Sequence, residues 1–177
     1  MARAGRRAGN GGLEVTRATY TRDDDAGGTL DVFASSGRGP QSIVVSGEGV
    51  APTRLIGAGG HYQARVAYTG ESPPIGLTVA NVGDRPATRR RVEVDDSVFA
   101  SAVYDLGAHR LTIRASSSDT LGRPRLTAAG IGVVTTDGVL VADVDGAPAV
   151  VTVASVAGGS VTVPVALTGP TQPAIRR

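Results

Sequence analysis

Side chains able to transfer a proton or attack a substrate at neutral pH are scarce in this chain. None of its 177 residues is cysteine, all 18 basic residues are arginine, and His61 and His109 are its only imidazoles. Without Cys or Lys there is no thiol or amine nucleophile, no thiolate metal site and no P-loop lysine. His61 follows a glycine-rich loop and His109 opens a strand after a turn, so both read as exposed structural residues rather than general bases. GAGGHY from Gly57 and GIGVVT from Gly130 lack the third glycine and the following helix of a dinucleotide fingerprint. The expectation is a chain that is not an enzyme and carries no cofactor.

Charge offers binding rather than catalysis. Asp23, Asp24 and Asp25 share one loop and Glu93, Asp95 and Asp96 a junction, and such oxygens could attract calcium, although their spacing matches no calcium loop. Arg85, Arg89, Arg90 and Arg91 form the densest basic patch. Alternation along a strand places Arg89 and Arg91 on one face and Arg90 on the other, where it must pair or reach solvent. The patch reads as an anion or acidic-glycan contact, or as an edge strand kept from aggregating by its charge. Arg3, Arg6 and Arg7 precede the first hydrophobic strand and Arg176 and Arg177 close the chain, leaving 13 arginines against 16 acids between them. The body is acidic and the tails are basic. Residues 1–12 read as a flexible basic arm, either a solvated tail or an arm that docks on an acidic neighbour or on nucleic acid. With no aromatics interleaved, the arm is poor evidence for nucleic-acid binding. No apolar run approaches the ~20 residues of a membrane span, and no apolar segment follows the arm as in a signal peptide.

The elements that must position these groups are written twice. LTVANVG from Leu77 returns as VTVASVAG from Val151, GTLDVFASS (28–36) as HRLTIRASS (109–117), and IVVSGEGV (43–50) as LTAAGIGV (126–133). Matches in one order at nearly one spacing argue for two similar domains, here 13–94 and 95–168, with a tail over 169–177. Leu30, Val32 and Ala34 alternate with Asp31, Phe33 and Ser35, and Leu111, Ile113 and Ala115 repeat the pattern, as core-facing strand residues should. Phe33 then points outward, where the second copy has Arg114. Strands are expected near 13–20, 30–34, 43–45, 53–56, 62–68, 75–82 and 88–94, and near 98–104, 110–116, 125–129, 139–144, 149–156 and 160–167. Gly47 and Gly49 match Gly130 and Gly132 at a turn that calls for positive φ or close backbone approach. Pro164 interrupts the last strand and implies a free edge there.

Many short strands, turns of Gly, Pro and Asp, and no helical period give an all-β protein with a β-sandwich in each half. On the Tyr-ended first strands (Tyr20, Tyr104), the Ala-Ser-Ser ends of the second strands and the late LTVANVG and VTVASVAG strands, each half resembles the immunoglobulin-like (Ig-like) domains that occur in tandem in bacterial surface proteins and tailed-phage structural proteins. The resemblance implies a spacer, adhesion module or assembly surface. The expected work is that of a decorating or assembly subunit of a virion or similar particle, with other protein subunits as partners. The alternative is an extracellular, cell-surface adhesion or carbohydrate-binding module with glycans as ligands. Phe33, Tyr62, Tyr68 and the arginine patch are the expected surface contacts.

Overall fold

The computed structural model describes residues 10–24 and 26–171, with Asp23 and Asp24 by backbone alone, and all regular structure in them is β. No helix of the described residues is long and apolar enough to cross a membrane. The chain divides between Asp95 and Asp96 into two compact units.

The first unit contains β1 (Glu14–Asp24), β2 (Gly27–Ser35), β3 (Ile43–Gly47), β4 (Val50–Arg54), β5 (Ile56–Ala58), β6 (His61–Thr69), β7 (Gly76–Asn81) and β8 (Thr88–Glu93). One sheet runs in the order β5-β6-β2-β1 and the other β4-β3-β7-β8, the strand arrangement of an Ig-like sandwich. Leu30, Val32 and Ala34 meet Tyr20, Tyr62, Val66, Ile43, Val45, Leu77 and Val79 in one core. The expected strand at 53–56 is in fact broken. Its first part pairs with β3, while Ile56 to Ala58 pair with β6 in the other sheet. Leu55 makes the crossing, buried, with its N–H donating to the Ile43 carbonyl at 2.9 Å. A segment shared between two sheets cannot run straight, and the pivot residue turns into the core.

A two-residue β9 (Asp95–Asp96) falls at the division. The second unit contains β10 (Val98–Asp105), β11 (Arg110–Ser117), β12 (Leu126–Ala128), β13 (Gly132–Val133), β14 (Val139–Asp143), β15 (Val150–Ser155) and β16 (Ser160–Thr168). The order is β13-β12-β15-β16-β10-β11-β14, the same topology with the β5–β6 hairpin reduced to β14. Leu111, Ile113 and Ala115 pack with Ala102, Tyr104, Ala128, Val151 and Val153. The last strand joins both layers, pairing antiparallel with β15 through Pro164 and parallel with β10 from Val165 onward. The Val165 N–H donates to the Ala149 carbonyl, so Val150 and Pro164 form a non-hydrogen-bonded pair, and the missing N–H of Pro164 points away from β15. The proline thus sits at a step where the ladder with β15 needs no donor.

Two of the four matched glycines carry the turn geometry. Gly49 has φ +66° and Gly130 has φ +72°, and a side chain at Gly49 would also collide with the Thr69 carbonyl oxygen.

Candidate functional site

Arg3, Arg6, Arg7 and Asp25 lie outside the described residues, as do the side chains of Asp23 and Asp24. Tyr62 and Tyr68 are not surface contacts. Positions 62, 64, 66 and 68 of β6 share the inward face, and both tyrosines are buried in the first core. The Tyr62 hydroxyl donates to the Gly39 carbonyl at 3.0 Å. His61 and His109 are exposed. His109 adopts a left-handed φ of 53°, with its Nδ1 3.3 Å from the Tyr104 hydroxyl.

At the acidic junction Asp96 is turned into the second unit. Asp96 is 1% exposed; its Oδ2 accepts the Ser117 hydroxyl at 2.5 Å and its Oδ1 the Gly159 N–H at 2.9 Å. Both oxygens are thus committed within the second unit. Glu93 is exposed and Asp95 half-buried. Among the described residues no three His, Cys, Asp or Glu side chains are grouped to hold a metal ion.

An analogous knot closes the first unit. Asn81 Nδ2 donates to Gln41 Oε1 at 2.8 Å and to Asp84 Oδ1 at 3.2 Å, and Asp84 also accepts the Gly11 N–H and the Thr88 hydroxyl. These bonds explain the repeated stretches. Asn81 and Ser155 occupy matching positions, and each side-chain oxygen accepts the N–H two residues on, Gly83 or Ala157. Ser36 and Ser117 also match. The first donates to the Gly12 carbonyl at 2.6 Å and the second to Asp96, so each fastens the segment entering its sandwich.

The arginine patch divides as alternation demands. Arg90 stands opposite the fully buried Val79, on the inward side of β8. There it reaches solvent along a shallow groove of about 410 Å³ with Leu13, Glu14, Val15, Arg91 and Val92, and donates to the Arg89 carbonyl at 3.3 Å. Arg89 and Arg91 stand opposite Ala80 and Thr78 on the outward face. Arg85 is exposed in the β7–β8 turn.

The outer faces of the two β1-type sheets have diverged. In the first unit Phe33 is half-buried and points outward, with the Arg17 guanidinium 4.4 Å from its ring centroid. The next row across that sheet is Thr19, Asp31 and Arg65, the last two joined by a bidentate ion pair at 2.9 and 3.0 Å. The corresponding row of the second unit is Val103, Thr112 and Val141, continued by Ala166. Val103 is 38% exposed, Val141 53%, and Phe99, two turns of the pleat away on β10, 61%. Beside Phe99 an open hollow of about 420 Å³ is bordered by Ser101, Arg114, Ser116 and Asp137. The Thr135 hydroxyl beside Asp137 holds its carboxyl below the ordinary carboxylate value. Phe99 was missed by the sequence reading, although it lies five positions, an odd offset, from the core residue Tyr104, which sets it on the outer face.

Strand order and register in each unit define an all-β protein of two tandem Ig-like sandwiches. No family model matches the chain, and no curated protein does. Among solved structures it is similar to a chain in the crystal structure of Dpr2 Ig1-Ig2 in complex with DIP-Theta Ig1-Ig3, with 7% identity and a TM-score of 0.31, covering 90% of this chain and 100% of that chain.

Proposed function

We propose that this chain is a non-enzymatic structural subunit, a tandem Ig-like module that joins a larger assembly such as a virion through the outer face of its second unit. One observation carries the reading. Where the first unit covers the middle row of its sheet with the Asp31–Arg65 ion pair, the second presents Val103, Thr112 and Val141 with Phe99 nearby. A solvated sheet face favours polar residues, and an apolar row left in water marks a contact surface. Meanwhile Asn81, Asp84 and Asp96, three of the buried polar side chains, are bonded inside the two sandwiches.

The test is sedimentation of the full chain beside Val103→Arg and Phe99→Ser. Concentration-dependent association that either variant abolishes supports the reading. Association that both variants retain removes this face from it. The alternative, a cell-surface or carbohydrate-binding module, draws on the hollow where an exposed aromatic ring adjoins hydroxyl and charged groups. That protein would bind glycans as a monomer, and Phe99→Ser would abolish glycan binding without altering sedimentation.

A further inference from the structure

The register of the first unit's second sheet places a third arginine beside Arg89 and Arg91. Arg89 stands opposite Ala80, Ala80 opposite Val44, and Val44 opposite Arg54. All three arginines are exposed. Adjacent strands lie about 4.8 Å apart and alternate residues about 6.8 Å along a strand. Arg54 and Arg89 therefore rise from backbones about 14 Å apart, and Arg89 and Arg91 from backbones about 7 Å apart. The floor between them is Val44, Ser46, Thr78 and Ala80, all short and uncharged. No ion pair engages the three guanidinium groups among the described residues; Arg54 makes one long bond, 3.5 Å, to the Gln41 carbonyl. Glu93, two residues beyond Arg91, faces the same way.

We infer that this face binds a linear acidic polysaccharide, with carboxylate or sulfate groups taken up by Arg54, Arg89 and Arg91. Guanidinium forks match such groups geometrically, and arginines at two spacings suit a polymer that repeats its anions along an extended chain. The floor disfavours a protein partner, which needs a buried aromatic or aliphatic anchor at the centre of its interface. All six aromatic residues lie on other sheets, so no platform stacks the bases of a single-stranded nucleic acid. The site is independent of the apolar row in the second unit.

The experiment titrates the full chain with heparin at low salt, alongside variants in which the basic arm is unchanged. A surface ion pair contributes about 0.2–1 kcal/mol, so Arg54→Ser and Arg91→Ser should each weaken binding by about 1.4- to fivefold. The triple variant with Arg89→Ser should lose about tenfold or more, with an unchanged melting curve. Arg90→Ser, on the opposite side of β8, should leave affinity unaltered. The inference is overturned if the wild-type chain does not bind heparin, if Arg90→Ser costs as much as Arg54→Ser, or if the triple variant binds like wild type. It is equally overturned if polyglutamate or duplex DNA of matched charge binds this face more tightly than heparin, which would assign it to another class of polyanion.

Discussion

Asp96→Ala tests whether the junction carboxylate is a fastening of the second sandwich. The carboxylate is buried and accepts two bonds, from the Ser117 hydroxyl and the Gly159 N–H. A hydrogen bond to a charged group contributes about 1.5–3 kcal/mol. Removing the carboxylate also relieves the cost of burying it, so the two bonds do not sum in full. The expected net loss is about 2–4 kcal/mol, which for a unit of about 80 residues lowers the melting temperature by about 10–25 °C. Asp96→Asn keeps an acceptor for Gly159 and a polar group against Ser117, and should cost about half as much. Calorimetric melting of the full chain reads the effect, with the transition of the first unit as internal reference. A loss under about 0.5 kcal/mol, well below one such bond, refutes the reasoning. So does a calcium-induced rise in melting temperature that Asp96→Ala removes, because it would make the carboxylate a metal ligand after all.

Leu55→Ala should destabilise the first unit by about 2–5 kcal/mol, a cavity at the sheet crossing, measured by denaturant unfolding. A cost below about 1 kcal/mol would show that the pivot is not packed as described. Thr135→Ala should raise the Asp137 pKa toward its ordinary 3.8, read by NMR titration of the carboxyl group. Because the folded value is depressed, the Thr135 contact stabilises above the ordinary pKa and is lost as pH falls through the folded one. The stability gap between wild type and Thr135→Ala should therefore close in acid, and a gap constant with pH would exclude the contact as its source.

The period-two pattern was enough to read the core faces of β2 and β11, because each residue's side of the sheet depends only on parity. The same parity counted against Tyr62 and Tyr68 as surface contacts, since they alternate with Gln63 and Arg65. What lay beyond the sequence was alignment between distant strands. Arg54 joins Arg89 only through two intervening strands, and neither residue's neighbours reveal it. Asp96 resembles any acidic turn until Gly159, 63 residues later, closes on it. The break at Leu55 arises from competition between two sheets for one segment, which no local pattern records.

The two fastenings run with opposite polarity. In the first sandwich the carboxylate sits on the late hairpin, where Asp84 receives the Gly11 N–H from the entering segment. In the second it sits on the entering segment, where Asp96 receives the Gly159 N–H from the hairpin. Two halves with one topology and similar strands are prone to exchange pieces while folding. An exchange of entering segments would press Asp96 against Asp84 in one sandwich and face the Gly11 and Gly159 N–H groups toward each other in the other. Both hybrids bury like against like, and each is penalised. The reversal works as a lock and key between the halves, admitting each entering segment only to its own sandwich.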